Sequence, residues 1–128
     1  MSAVIDNSDG TVFDTTDNTK LHMDYSPLED SQLVDGVVLS TGCESIAATS
    51  KMEYGLWEHP VGISQDVESE EVFVIISGKG KIVLGDGSEL ELAPGSVGSL
   101  KDGAKTRWHV YGPEPLRKVW IMPKKGSN

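Results

Sequence analysis

From residue 37 onward the chain alternates apolar and polar residues in short runs, and Gly, Pro or Asp breaks each run after eight to ten residues. The stretch "SELELA" (88–93) shows the period of two cleanly, as a strand with one wet face must. Tight turns are signalled by "SGKG" (77–80), "GDGS" (85–88) and "APG" (93–95). These marks predict strands near 37–40, 45–48, 53–58, 72–76, 79–84, 89–92, 97–100, 106–111 and 117–122. No long helical period competes with them. Short strands must close up or stack to bury their apolar faces, so the pattern predicts an all-β sandwich or barrel of six to eight antiparallel strands.

The first third reads differently. Residues 1–18 ("MSAVIDNSDGTVFDTTDN") are rich in Asp, Ser, Thr and Asn and predict a loose arm. "SPLEDSQL" (26–33) has a Ser-Pro start and acids in its first turn, which predicts one short helical turn. The expected organisation is an acidic, partly irregular arm over 1–35, a barrel over 36–123 and a flexible tail over 124–128.

Charge sharpens this division. Residues 1–35 carry eight acids and one base, residues 36–100 ten acids and three bases, and residues 101–128 two acids and seven bases. The net charge of −9 repels phosphate backbones and argues against nucleic-acid binding. Acidic first third and basic final strand would complement each other across a two-fold axis, and short strands leave edges to cover; both point to a homodimer. No run approaches the ~20 apolar residues of a membrane span, and the N-terminus lacks a basic-then-apolar secretory pattern. The one cysteine, Cys43, has no intrachain partner, which with the foregoing points to the cytoplasm. Without a neighbouring His or Lys in sequence, Cys43 reads as a small buried hydrophobe rather than a nucleophile.

Three stretches carry a family resemblance: "GLWEHPVG", "EEVFVIISGKGKIVLGDGSELELAPGS" and "TRWHVYGPEPLRKVWIM". In this order they resemble a cupin, and more narrowly the single-domain cupins grouped with ureidoglycine aminohydrolase and the ethanolamine-utilisation cupins. The Glu-x6-Gly spacing from Glu71 to Gly78 is similar to the end of the first cupin motif, and Gly95 and Gly103 flank a strand as in the second. The resemblance implies a jelly-roll-like antiparallel barrel (the double-stranded β-helix).

The same resemblance exposes departures. Metal-binding cupins carry a His-x-His pair shortly before that Glu and a further His in the second motif. Here the paired positions hold Gln65 and Val67 in one register or Ser64 and Asp66 in the other, and Thr106 stands at the last ligand position. One carboxylate and a hydroxyl do not hold a transition metal against water, so neither a metal nor another cofactor is expected. His59 lies at a strand end with access to the barrel mouth, whereas His109 alternates away from Thr106.

The motif register places Glu71 inside the barrel, together with Phe73. Thr106 and Trp108 share one face of their strand, and Trp57 shares a face with Gly55 and His59. The expected site is a metal-free pocket walled by Trp57, Phe73 and Trp108, with one hydrogen bond from Thr106. Glu71 is its candidate acid–base residue, binding an amine or shuttling a proton. The structural alternative pairs Glu71 with Arg107 or Arg117. Three functions follow: a cupin that binds a small polar metabolite, with or without modest acid–base chemistry; a non-catalytic structural or regulatory dimer; or a metallo-cupin enzyme with substitute ligands.

Overall fold

The structure is a computed structural model describing residues 16–124 and the backbone of Val4–Asp6 and Val12–Asp14. Those two short segments, β1 and β2, pair with each other antiparallel. This is a regular hairpin within the arm expected to be loose; the remaining expectations for residues 1–15 and 125–128 lie outside the described residues. The other strands are β3 (Tyr25–Pro27), β4 (Ser40–Ala48), β5 (Met52–His59), β6 (Gly62–Val67), β7 (Glu71–Ser77), β8 (Gly80–Leu84), β9 (Glu89–Leu92), β10 (Val97–Leu100), β11 (Lys105–Val110) and β12 (Leu116–Pro123). They form a six-stranded sheet in the order β10-β7-β12-β5-β4-β3 and a four-stranded sheet in the order β6-β11-β8-β9. Every pairing in them is antiparallel. The architecture is the expected cupin barrel, with ten strands in its two sheets rather than six to eight.

Three differences from the sequence expectation have local causes. Of the run at 37–40 only Ser40 is in a strand: β4 starts there and takes in the run at 45–48, with a register shift between Ser45 and Ala47 against β5. Strand β6, "GISQDV", was not expected because its inward positions are polar and no apolar alternation marks it. The helical turn shrinks to a 3-10 turn over Asp30–Gln32, closed by a capping box between Glu29 and Gln32, while Tyr25–Pro27 joins the sheet edge.

The core lies between the sheets. Phe73, Ile75, Ile82, Leu92, Leu100, Trp108, Val110 and Leu116 form it, with Trp57 and Leu84 packed against them. A smaller cluster covers the opposite face of the large sheet, where Leu21 and Met23 from the acidic segment pack on Leu56. That segment is tied down by Arg117, whose guanidinium donates to the Asn18 carbonyl at 2.7 Å and to Glu58 Oε1 at 2.5 and 3.0 Å. Gly55 has no room for a side chain: an added Cβ would stand 2.1 Å from the Glu44 carbonyl and 2.5 Å from the Trp120 ring. Among the described residues no helix is long and apolar enough to cross a membrane.

Candidate functional site

Strand β12 supplies the central charge. Alternation sends Leu116, Lys118, Trp120 and Met122 to the inner face, and the ladder sets Lys118 beside Trp57 on β5. A register shift against β7 falls between Arg117 and Lys118. The two cations therefore face opposite sides, and both are buried, at 5% and 4% exposure. Lys118 Nζ donates to Glu71 Oε1 at 2.5 Å. It also sits 4.4 Å from the Trp108 ring centroid, 4.5 Å from Trp57 and 5.4 Å from Phe73. A carboxylate and three aromatic rings thus surround one ammonium. The partner of Glu71 is neither Arg107 nor Arg117. Arg107 is exposed and bonded to Gln65, and Arg117 belongs to Glu58 on the outer face.

The pair forms one wall of a cavity of about 260 Å³, also lined by Trp57, Trp108, Trp120, Ser64, Asp66 and Glu68. Of the residues singled out from the sequence, Glu71, Trp57 and Trp108 border this cavity. Phe73 and Thr106 stand behind it. Phe73 packs edge-on against Trp108 at 5.9 Å. The Thr106 hydroxyl donates to Glu68 Oε2 at 2.6 Å, and the Trp108 indole N–H reaches the same oxygen at 3.0 Å. Lys118 and Glu68 were missed, and Ser64 and Asp66 were named only as one of two registers for the paired ligand positions. Lys118 carried a usable signal, its shared parity with Leu116 and Trp120.

Electrostatically the cavity is acceptor-rich. Burial pushes the Glu71 carboxyl above its usual range, and the Lys118 charge pulls it back. Asp66 is raised by partial burial and then by Glu68. The Trp120 indole N–H, buried in the same wall, has the Cys43 sulfur beside it and no oxygen or nitrogen acceptor.

Pairing of β6 with β11 sets Ser64 opposite Trp108 and Asp66 opposite Thr106, so Ser64 and Asp66 face inward and Gln65 and Val67 face out. The four positions that would hold a metal in the resembling cupins are therefore Ser64, Asp66, Glu71 and Thr106. They do not fit one. The Ser64 and Thr106 hydroxyls are spent on His59 and Glu68, and Glu71 already holds an ammonium at 2.5 Å that would repel a dication. Among the described residues no three His, Cys, Asp or Glu side chains converge as metal ligands.

His59 ends β5 as expected but does not open to the barrel mouth: it is fully buried beside Trp57, with ring centroids 5.3 Å apart. Burial holds its imidazole below the usual histidine range. The unfolded chain takes up a proton near pH ~6.5 while the folded protein resists it, so stability falls as pH drops below that value. The expected slope reaches at most about 1.4 kcal/mol per pH unit. Urea midpoints between pH 7 and 5 should fall more steeply for the wild type than for His59→Gln. Equal slopes would contradict the assignment.

The EutQ-like cupin domain family model matches residues 46–120. Among solved structures, the Clostridium difficile EutQ protein superposes with a TM-score of 0.73 at 14% identity, covering 97% of this chain and 96% of that one. The putative ethanolamine utilization protein Q of Salmonella typhimurium LT2 gives 0.71 at 11% identity, with 99% and 96% covered. The DMSP lyase DddQ of Ruegeria pomeroyi DSS-3 gives 0.64 at 13% identity over 83% and 58%. At these identities the likeness is one of fold. No curated protein matches the chain. With more than half of its length matched by the family model, the protein belongs to the EutQ-like cupins.

Proposed function

We propose that this cupin binds a small, polar, donor-bearing molecule in the cavity beside the Lys118–Glu71 pair, without a metal. The observation that carries the reading is the charge arrangement. A buried ammonium supplies the positive charge, and the carboxylates Asp66 and Glu68 line the same space. Trp57 and Trp108 give the apolar walls that small-ligand sites use, and Trp120 offers an N–H in need of an acceptor. The cavity itself favours this reading over a barrel packed shut that works through its surface alone. Glu71, with its raised carboxyl beside an amine, is the group placed for modest acid–base work.

All three tryptophans of the chain line the cavity, so intrinsic fluorescence reports on its contents. Titration with a panel of small amino acids, amino alcohols and hydroxy acids should give a saturable change for at least one donor-bearing member. Glu68→Gln, which halves the charge Glu68 shares with Asp66 at the rim, should weaken that binding about tenfold or more, the ~1.4 kcal/mol of one charge-assisted hydrogen bond. No saturable change across the panel at millimolar concentration would overturn the reading.

A further inference from the structure

His59 and Ser64 form a pair that the binding role does not use. The Ser64 hydroxyl lies 2.8 Å from His59 Nε2, and His59 Nδ1 lies 2.6 Å from the Pro60 carbonyl oxygen. A carbonyl oxygen only accepts, so Nδ1 carries the proton and donates it there. Nε2 is then a lone pair, and the Ser64 O–H donates to it. A hydroxyl bonded to an imidazole that a third group fixes in one tautomer is the arrangement by which serine becomes nucleophilic. The layout suits this use: Ser64 borders the cavity, while His59 is fully buried behind it. Burial favours the neutral imidazole, and the nearby Lys118 charge acts in the same direction.

We propose that Ser64 is a nucleophile, with His59 as its base, that accepts the acyl group of a small activated ester entering the cavity. Ser64 Oγ forms a bond to the acyl carbon as its proton passes to His59 Nε2, and the carbonyl π pair moves onto oxygen. Lys118, the cation on the wall of the same cavity, offsets that negative charge. Collapse re-forms the carbonyl and breaks the bond to the leaving oxygen, which takes the proton from Nε2. Water then repeats the sequence on the acyl-serine, releasing the acid and restoring the pair. The inference goes beyond the proposed function and rests on it for the cavity alone.

The probe is methanesulfonyl fluoride, small enough for about 260 Å³, followed by intact mass and peptide mapping. Cys43, a thiol bordering the same cavity, is replaced by Ala in all samples so that its reaction does not mask Ser64. The expected result is one sulfonyl group per chain, mapped to Ser64 and lost in Ser64→Ala. His59→Gln should slow it about 100-fold or more, the usual contribution of a positioned base. In the same samples 4-nitrophenyl acetate should give a burst of one nitrophenolate per chain. Folded protein unlabelled at Ser64, or labelled equally fast in His59→Gln, overturns the proposal. Mapping the parent protein alone decides the first point even if a variant fails to fold. Because the fluorescence titration can be run on Ser64→Ala, loss of the nucleophile and loss of the binding role are told apart.

Discussion

Glu71→Gln should cost about 3–5 kcal/mol of folding stability, the range for removing one member of a buried ion pair. The reason is what remains. Lys118 is 4% exposed and has Glu71 as its charged partner, so the neutral amide leaves an ammonium buried among aromatic rings. Removing the cation by Lys118→Met should cost a similar amount by stranding Glu71. Replacing both residues by Met should recover much of the loss, because a packed apolar pair avoids desolvating two charges. Urea denaturation of the three variants checks this. A loss below about 1 kcal/mol in Glu71→Gln would mean that the pair is solvated rather than buried.

Trp108→Ala should be comparably damaging, at about 3–5 kcal/mol. The side chain is 2% exposed and meets Trp57 at 4.9 Å, Phe73 at 5.9 Å and the Lys118 ammonium at 4.4 Å. Its indole N–H also donates to Glu68. Truncation therefore opens a hole at the junction of core and cavity, weakens the hold on Lys118 and leaves Glu68 with the Thr106 hydroxyl as its donor. Against a typical total of about 5–15 kcal/mol the variant should be at the edge of folding. Trp108→Phe keeps a ring over Lys118 and loses the N–H donor, so about 1–3 kcal/mol is expected. Thermal or chemical denaturation separates the two. Equal losses in both variants would show that the N–H, not the packing, carries the effect.

The barrel was legible because its strands alternate and its turns are explicit. The period of two in "SELELA" and the turns at 77–80 and 85–88 mark β7, β8 and β9 where they occur. Strand β6 was not legible, since an inward Ser64 and Asp66 leave no apolar period to read. The packed segment around Leu21 and Met23 was hidden by its acidic neighbours: two buried side chains anchor a stretch whose composition reads as solvated. Within the site, strand parity and the motif register set Trp57, Glu71 and Trp108 on inward faces, and all three border the cavity. The identity of Glu71's partner was decided by strand order, because β12 lies between β7 and β5 and carries Lys118 to both. Sequence shows that Arg117 and Lys118 face opposite ways and that Lys118 shares the parity of Leu116 and Trp120, but not which strands lie beside them. His59 reached Ser64 through the turn into β6, the strand the pattern did not mark.

With the Lys118 ammonium held against Glu71 in the barrel interior, the binding proposed for the cavity beside them needs no metal. The most direct test of this is anomalous diffraction from crystals grown with manganese or zinc in excess. Lys118 Nζ should be bonded to Glu71 beneath Trp57 and Trp108, with no anomalous peak between Ser64, Asp66, Glu71 and Thr106. A metal ion ligated by Glu71 and Asp66, with Lys118 turned away, would contradict it.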